Sequence, residues 1–349
     1  AAHVLRDAIR HPHLIVAPLI NPESEIYLKP ENLQYTGSFK LPGAYYKISQ
    51  LSDEEKARGV IACSAGNHAQ GVALAATKNG IPSLICLPSG APISKVEATK
   101  RYGAEVCLVP GVYDDAYQRA LQLHKEKGYT FVHPFDDLRV IAGQGTIGLE
   151  MLDELGDVDV VIVPVGGGGL ISGVACAIKQ LKPSVQVYGV QAEGAPSMAT
   201  SLAHKQIERL DSVSTIADGI AVKEPGINTF DICSKYVDGI IQVTEDEIME
   251  ALLLLLDAQR EAHIRHCRIA EHLAAHFHVN YAVFEADPLL ETAESIISNV
   301  IHDRRLLNWW VTHEYDDTIY YPGRGLYGVE ICCAEELWNY YFSPLKSEV

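Results

Sequence analysis

The sequence predicts an α/β protein whose mostly parallel strands carry helices on both faces of the sheet. Over about the first 250 residues, short β-branched runs alternate with helical stretches, which is the pattern of this class. The strand-like runs are continuously apolar, as expected for strands buried on both faces. The chain has 349 residues, 48% of them hydrophobic, which is enough for two ordinary domains or one large α/β unit.

The predicted elements follow one another in regular order along the chain. Strands are expected at Gly59–Cys63, Ser83–Leu87, Glu105–Val109, Asp159–Val165 and Val185–Gln191. Helices are expected at Asn67–Lys78, Ser94–Tyr102, Asp114–Lys127, Gly169–Leu181 and Glu245–Ala258. From about Gln259 the composition changes, because the last 90 residues hold three of the 27 glycines but all three tryptophans and half of the 14 histidines. We therefore expect this tail to be built differently from the body.

Charge and hydropathy exclude several classes of protein. The 28 Lys and Arg stand against 45 Asp and Glu, a formal charge of −17, which repels nucleic-acid phosphates and anionic lipid. No apolar run reaches the ~18 residues of a membrane span, and residues 1–10 are too polar for a secretory signal. The eight cysteines lack the density of a disulfide scaffold. We therefore expect a cytoplasmic protein with reduced cysteines that binds neither nucleic acid nor membrane.

The first candidate site motif is Lys29-Pro-Glu-Asn-Leu-Gln-Tyr-Thr-Gly-Ser-Phe-Lys40. It predicts an extended segment, a Thr-Gly-Ser turn, and a helix that Ser38 caps and that carries Lys40 in its first turn. A partly buried lysine beside the positive end of a helix has a lowered pKa, which suits its amine to imine formation. This segment alone leaves open an ordinary surface lysine at a helix start.

Two glycine-containing turns follow this motif. Cys63-Ser-Ala-Gly-Asn-His-Ala-Gln-Gly71 predicts a strand-to-helix turn whose N–H groups and polar side chains suit a carboxylate, although a simply capped turn is equally compatible. Val163-Pro-Val-Gly-Gly-Gly-Gly-Leu170 places four glycines before a helix, where the backbone can approach a phosphate. The spacing is not Gly-x-x-x-x-Gly-Lys-Ser/Thr, so a nucleoside-triphosphate loop is not supported.

A lysine turn, a carboxylate turn and a phosphate loop, in this order on an α/β scaffold, describe a pyridoxal-phosphate site. Residues 10 to about 250 resemble the catalytic domain of the threonine ammonia-lyase (threonine dehydratase) family in its short catabolic form. Further segments that carry the resemblance are Pro134–Asp137, Ala142–Glu150, Gly189–Gly194 and Ala217–Ala221. The resemblance implies the tryptophan-synthase-β-like fold, with two open, twisted, mostly parallel sheets flanked by helices, and pyridoxal 5'-phosphate as the cofactor.

The resemblance also implies domains and site residues. Residues 1–50 and 150–303 would form a large cofactor-binding domain, residues 51–149 a small mobile domain, and residues 304–349 an unassigned extension. Lys40 would join the cofactor as a Schiff base and take the substrate's α-proton. The implied cofactor-binding residues are Phe39, Lys40, Asn67, Gly166, Gly167, Gly168, Gly169, Glu271 and Ser298. The implied substrate-binding residues are Ser64, Ala65, Gly66, Asn67 and His68.

Four positions depart from the family pattern. Glu271 and Ser298 stand about where the family has a glutamate and the serine beside the pyridine nitrogen, but without the glycines that normally follow. Pro42 replaces an arginine, in a first helical turn where proline is tolerated. Glu193 matches a metal-ligating glutamate of serine racemase, but Ser197–Ala199 lacks the partner aspartate. We therefore expect no metal site.

Ala65 distinguishes between the activities of the group. Racemases resemble Ser-Ser-Gly-Asn-His and use the second serine as an acid/base on the ring face opposite the lysine, so alanine favours dehydration. We expect deamination of L-threonine to 2-oxobutanoate and ammonia, with L-serine as a second substrate that gives pyruvate, in a homodimer or homotetramer. The alternatives are a serine racemase or serine dehydratase, a β-replacement synthase on the same fold, and a non-enzymatic relative that binds pyridoxal phosphate.

Overall fold

The computed structural model describes residues 1–17, 20–21, 23–255, 321–324 and 329–331. The chain divides into two units, residues 1–248 and 249–349. In the second unit, two short strands at 321–324 and 329–331 pair antiparallel. The first unit contains the three candidate site motifs.

The helices of the first unit lie between and around its strands. They are α1 (Ala2–Leu5), α2 (Lys40–Ser49), α3 (Asp53–Arg58), α4 (Asn67–Lys78), α5 (Ile93–Arg101), α6 (Tyr113–Lys127), α7 (Leu138–Glu154), α8 (Gly169–Leu181), α9 (Ser197–His204) and α10 (Ile227–Tyr236). The strands are β1 (Ile15–Val16), β2 (Tyr27–Leu28), β3 (Val60–Cys63), β4 (Ser83–Pro88), β5 (Glu105–Val109), β6 (Thr130–Phe131), β7 (Val160–Pro164), β8 (Gln186–Ala192) and β9 (Gly239–Val243). Single 3-10 turns lie at Glu31–Leu33 and Asp218–Ile220, and a further helix covers residues 245–255.

Two parallel sheets organise this unit. One has the strand order β5-β4-β3-β6 and the other β7-β8-β9, and every strand pair within them is parallel. The short strands β1 and β2 pair antiparallel. Helices connect successive parallel strands, as a parallel sheet requires. This confirms the predicted α/β class with two mostly parallel sheets.

The predicted element bounds hold closely in the described residues. Strand β5 and helices α4 and α8 have the predicted bounds, and the other predicted strands differ by one residue at one or both ends. The expectation that every strand is buried on both faces holds for β3 but is wrong for β7, where Val160 and Ile162 are 44% and 63% exposed. Val161 and Val163 are buried. Only one face of β7 is covered by the described residues, so exposed and buried residues alternate along this strand.

Glycines allow α7 to pack closely between α2 and α8. A Cβ on Gly143 would lie 2.5 Å from the Pro42 carbonyl oxygen in α2. A Cβ on Gly173, in α8, would lie 2.3 Å from the Ile141 carbonyl oxygen in α7. Both distances are too short for any side chain, so the backbones themselves are in contact. This packing brings together α2 and α8, which begin with Lys40 and with the glycine loop.

The start of the lysine motif has a structural role that its sequence does not reveal. The Lys29 ammonium, with a side chain 6% exposed, lies 2.7 Å from Glu150 and 3.7 Å from Glu154 on α7. It also donates a hydrogen bond to the Pro12 carbonyl. Burial raises the pKa of the neighbouring Glu31 to about 7, and the Glu150 charge acts in the same direction. Lys29 therefore ties the N-terminal segment to α7.

Candidate active site

Lys40 is the first residue of α2, and its amine is withdrawn from water. Its Nζ donates a hydrogen bond of 3.1 Å to the Pro134 carbonyl oxygen and lies 5.1 Å from the centre of the Phe39 ring. Burial lowers the pKa of Lys40 to about 8. The predicted lowering is thus confirmed, with burial as its cause. The prediction that Ser38 caps the helix is wrong by one position: Phe39 is the cap residue, and the Ser38 hydroxyl accepts a 3.4 Å bond from the Lys40 N–H.

The lowered pKa of Lys40 predicts a pH-dependent reactivity. Burial disfavours the charged ammonium, so the amine loses its proton near pH 8 and not near the ordinary value of 10.5. We expect reductive coupling of a small aldehyde to Lys40, followed by peptide mapping, to rise with pH through a midpoint near 8. The free energy of unfolding should also rise between about 8 and 10.5, because only the unfolded chain holds the proton there.

The other lysines provide an internal control for this titration. Lys100 lies on the exposed surface, paired with Glu97 at 2.8 Å. Its labelling, read from the same peptide maps, is the reference for an exposed lysine. A Lys40 coupling midpoint near 10.5, equal to the ordinary lysine value, would contradict the burial of the amine.

The Pro134–Phe135 segment joins Lys40 to the glycine loop. Pro134 holds the Lys40 amine through its carbonyl, and Phe135 packs against two glycines of the loop. A Cβ on Gly167 would lie 2.5 Å from the Phe135 ring, and one on Gly169 would lie 2.7 Å from the Phe135 Cβ. Two motifs that are more than 120 residues apart in the sequence therefore meet across one dipeptide. In the sequence this segment carries the family resemblance, but no local signal indicates its role in holding Lys40.

The glycine loop runs from the end of β7 into α8. Gly168 is its cap residue and has a φ of +93°, in the left-handed region that favours glycine. A Cβ at this position would also lie 2.5 Å from the Met198 side chain. The Thr229 hydroxyl donates a 2.7 Å hydrogen bond to the Gly167 carbonyl. The loop is therefore fixed by its neighbours and is not a loose turn.

The predicted carboxylate turn lies between β3 and α4. The Ser64 hydroxyl accepts a 3.1 Å bond from the Gly66 N–H, and α4 begins at Asn67, whose side chain is exposed. Further along α4, a Cβ on Gly71 would lie 3.2 Å from the backbone and Cβ of Lys40. Gly71 therefore lets α4 pack directly against the start of α2. This contact brings the second motif to the reactive lysine.

His68 does not extend towards a ligand through its side chain. The residue is 3% exposed, and its Nε2 lies 2.9 Å from the Val132 carbonyl oxygen. Because a carbonyl only accepts, Nε2 carries the proton. Burial, followed by the charge of Lys40, lowers the pKa of His68 to about 3. The imidazole is therefore neutral and bound to backbone, and a substrate-binding role for His68 would depend on its backbone N–H.

Two acidic residues after Phe135 cap two helices. Asp137 accepts bonds of 2.8 and 3.2 Å from the N–H groups of Arg139 and Val140 at the start of α7. Asp136 accepts bonds from three consecutive N–H groups at the start of α10, those of residues 227–229, at 2.9 to 3.3 Å. By contrast, α4 and α8 begin after Gly66 and Gly168, which offer no side-chain acceptor. These two helix starts are therefore open to an external anion.

The cap formed by Asp136 predicts a measurable loss of stability. Asp136→Ala should lower the free energy of unfolding by roughly 0.5–2 kcal/mol, the usual loss for a helix cap, because three N–H groups lose their acceptor. Asp136→Asn keeps one carbonyl acceptor and should lose less. Urea unfolding of the three proteins measures the difference. Equal stability of Asp136→Ala and the parent would contradict the cap.

Several predicted residues lie outside the described residues. These are Glu271 and Ser298, and the predicted extension at 304–349 apart from its two short strands. In the described part of the chain, no group of three or more His, Cys, Asp or Glu side chains is arranged to hold a metal ion. No helix among the described residues is long and apolar enough to cross a membrane.

Comparison with known proteins matches the chain to enzymes. Residues 6–263 match the family described as pyridoxal-phosphate dependent enzyme. The L-threonine ammonia-lyase of Thermotoga maritima is 58% identical over 233 residues, which cover 67% of this chain and 58% of that protein. The catabolic L-threonine dehydratase of Escherichia coli is 48% identical over 238 residues, which cover 68% of this chain and 72% of that protein. The chain thus spans little more than half of the Thermotoga relative.

Solved structures agree with these relatives. The processed form of threonine deaminase isoform 2 from Solanum lycopersicum has a TM-score of 0.72 and 41% identity, over 73% of this chain and 70% of that one. Maize serine racemase has a TM-score of 0.70 and 35% identity, over 72% of this chain and 77% of that one. Both the family match and the identity to the Escherichia coli dehydratase cover about two thirds of the chain or more. The chain therefore belongs to the pyridoxal-phosphate-dependent enzyme family, in its threonine dehydratase branch.

Proposed function

We propose that this protein is an L-threonine ammonia-lyase that uses pyridoxal 5'-phosphate and also accepts L-serine. The observation that carries the proposal is the Lys40 amine, which is neutral above about pH 8 and is linked through Pro134 and Phe135 to the glycine loop. The Thermotoga relative is an L-threonine ammonia-lyase and the Escherichia coli relative an L-threonine dehydratase, which supports the choice of substrate.

The residues present fit a phosphate-bearing cofactor. The loop Gly166–Gly169 has no side chain that could block its N–H groups, and its last residue opens the 13-residue helix α8, whose positive end attracts an anion. The buried lysine amine supplies the covalent attachment point. Phe39 lies beside the Lys40 amine and would pack against the ring, while Asn67 would bind the ring hydroxyl. When bound, the cofactor supplies an electron sink for the carbanion at the substrate α-carbon.

Lys40 is proposed as the base that removes the substrate α-proton. Its pKa of about 8 makes the neutral amine available near physiological pH. The Pro134 carbonyl holds Nζ at 3.1 Å and so restricts where the amine can point. The proton moves from the α-carbon to Lys40 Nζ.

The open start of α4 is proposed as the substrate carboxylate site. In the turn 64–68, the Ser64 N–H donates to the Cys86 carbonyl and the Gly66 N–H to the Ser64 hydroxyl. The N–H groups of Ala65, Asn67 and His68 would bind the carboxylate. Ser64 orders this turn through its bond to the Gly66 N–H. Ala65 lacks the hydroxyl that a second acid/base would need, which favours elimination over racemisation. The reaction converts L-threonine into 2-oxobutanoate and ammonia, and the water lost with the β-hydroxyl is returned at hydrolysis.

Domain roles and assembly are further parts of the proposal. Residues 51–149 would form a small mobile domain, which is supported by the separate sheet β5-β4-β3-β6. Residues 1–50 and 150–303 would form the large cofactor-binding domain, and Glu271 and Ser298 would belong to it. A homodimer or homotetramer in the cytoplasm is proposed from the family resemblance, and light scattering of the purified protein tests the assembly.

One assay tests the proposed function. The purified protein, loaded with pyridoxal 5'-phosphate, is incubated with L-threonine or L-serine, and 2-oxo acid and ammonia are measured together with the D-isomer of each substrate. We expect equal amounts of 2-oxobutanoate and ammonia from L-threonine, with little D-isomer. Predominant D-serine formation would favour the racemase alternative, which the likeness to maize serine racemase supports.

A further inference from the structure

His133 lies at the start of the segment that joins Lys40 to the glycine loop. Its Nδ1 accepts hydrogen bonds from two backbone N–H groups, that of Phe135 at 3.3 Å and that of Asp136 at 2.7 Å. The Pro134 carbonyl, which shares a peptide group with the Phe135 N–H, holds the Lys40 amine at 3.1 Å. One side chain thus closes the turn whose backbone binds the lysine.

We propose that His133 is a positioning residue for Lys40: its Nδ1 accepts the N–H groups of Phe135 and Asp136 and so fixes the turn that presents the Pro134 carbonyl to the lysine amine. The inference rests on the proposed function in one respect, namely that the Lys40 amine must be directed at the cofactor. The hydrogen bonds themselves are features of the chain.

Both partners of Nδ1 are donors, so this nitrogen must be free of a proton. Burial lowers the pKa of His133, and the Lys40 charge acts in the same direction, whereas Asp136 and Asp137 oppose it. His68 is also within electrostatic range and has its own pKa lowered to about 3. The net direction keeps the His133 imidazole neutral at neutral pH, and Nδ1 is therefore available as the acceptor.

Packing prevents the ring from turning away. The His133 ring meets the Phe135 ring edge to face, with centroids 4.7 Å apart and planes at 86°. It also lies 6.3 Å from the Phe131 ring. Phe135 in turn packs against Gly167 and Gly169. A change at His133 would therefore be felt at both the lysine and the glycine loop.

The test compares two substitutions at this position. His133→Leu keeps a side chain of similar size but removes the acceptor. His133→Asn keeps an oxygen that can accept N–H groups two and three residues ahead, as asparagine does in turns. His204→Leu is the matched control, because His204 is exposed and bonds only to Glu208 among the contacts described for its ring. The rate at which Lys40 in the apoprotein couples to added pyridoxal 5'-phosphate is measured against pH, together with kcat/KM for L-threonine.

We expect the parent, His133→Asn and His204→Leu to share a coupling midpoint near pH 8. His133→Leu should shift this midpoint upward, because the amine is no longer held out of water, and should lower kcat/KM by roughly 10- to 100-fold, as a small misplacement of a catalytic group does. An unchanged midpoint and rate in His133→Leu would overturn the inference. So would a loss in folded His133→Asn equal to that in His133→Leu.

A folding defect would leave the inference testable. If His133→Leu fails to fold, as judged by thermal unfolding, His133→Asn alone decides: retention of the parent's midpoint and kcat/KM supports the acceptor role, and loss of either overturns it. Failure of the proposed function is distinguishable. In that case the parent protein forms no 2-oxobutanoate from L-threonine, while the coupling midpoints still differ between the parent and His133→Leu.

Discussion

Replacement of Lys40 with alanine is expected to abolish both covalent cofactor attachment and turnover of L-threonine. The Lys40 amine is the group held by Pro134 beside the glycine loop, and loss of a general base alone lowers rates by roughly 10²–10⁴-fold. Loss of the covalent attachment point adds to this. The visible absorption of the protein after incubation with pyridoxal 5'-phosphate and the formation of 2-oxobutanoate measure the two effects.

The fold should tolerate this substitution, which makes the result interpretable. Alanine is a favourable residue in a helix, and removing a buried amine relieves the cost of burying a charge. Lys40→Ala should therefore unfold at a temperature no lower than the parent. Lys100→Ala, on the exposed side of α5 where Lys100 pairs with Glu97, is the control and should keep colour and turnover. Turnover by folded Lys40→Ala near the parent rate would show that another group acts as the base.

The strands and helices with strong local patterns could be predicted from the sequence. Strand β5 and helices α4 and α8 have the predicted bounds, because apolar runs and glycine turns mark their ends. Helix α7 was not predicted, since Gly143, Gly145 and Gly148 lower its helix propensity. Those glycines are explained by contacts with α2 and α8. Tertiary packing thus overrides local propensity, and a pattern within one segment does not contain that information.

Some features of the candidate site could likewise be predicted from local sequence, and others depend on tertiary contacts. Lys40 and the glycine loop could be predicted, because a lysine after a Thr-Gly-Ser turn and four glycines before a helix each indicate chemistry locally. The contact of Lys40 with Pro134 joins residues 94 positions apart, and no local signal marks either partner. His68 shows the reverse case: the motif indicated a ligand-binding side chain, but the ring is bonded to the Val132 carbonyl. Side-chain direction depends on a neighbouring strand that the motif does not include.

The glycine loop provides the second large expected effect. Gly167→Ala should lower the affinity for pyridoxal 5'-phosphate by roughly 10- to 100-fold, which corresponds to about 1.4 to 2.8 kcal/mol of binding free energy. The added methyl group would lie 2.5 Å from the Phe135 ring. Phe135 cannot move away easily, since the centre of its ring lies 4.7 Å from the centre of the His133 ring. The loop cannot yield easily either, since Thr229 holds the Gly167 carbonyl at 2.7 Å.

Either movement would disturb the cofactor site. A shift of Phe135 would move the adjoining Pro134 carbonyl that holds Lys40, and a shift of the loop would turn its N–H groups away from the phosphate. Gly90→Ala is the matched control, because a Cβ there meets no atom within 4 Å. Titration of each apoprotein with pyridoxal 5'-phosphate, followed by protein fluorescence, measures the affinities. Equal affinities of Gly167→Ala and Gly90→Ala for pyridoxal 5'-phosphate would show that the phosphate is not bound by the glycine loop. The arrangement of Lys40 relative to the cofactor would then differ from the one proposed.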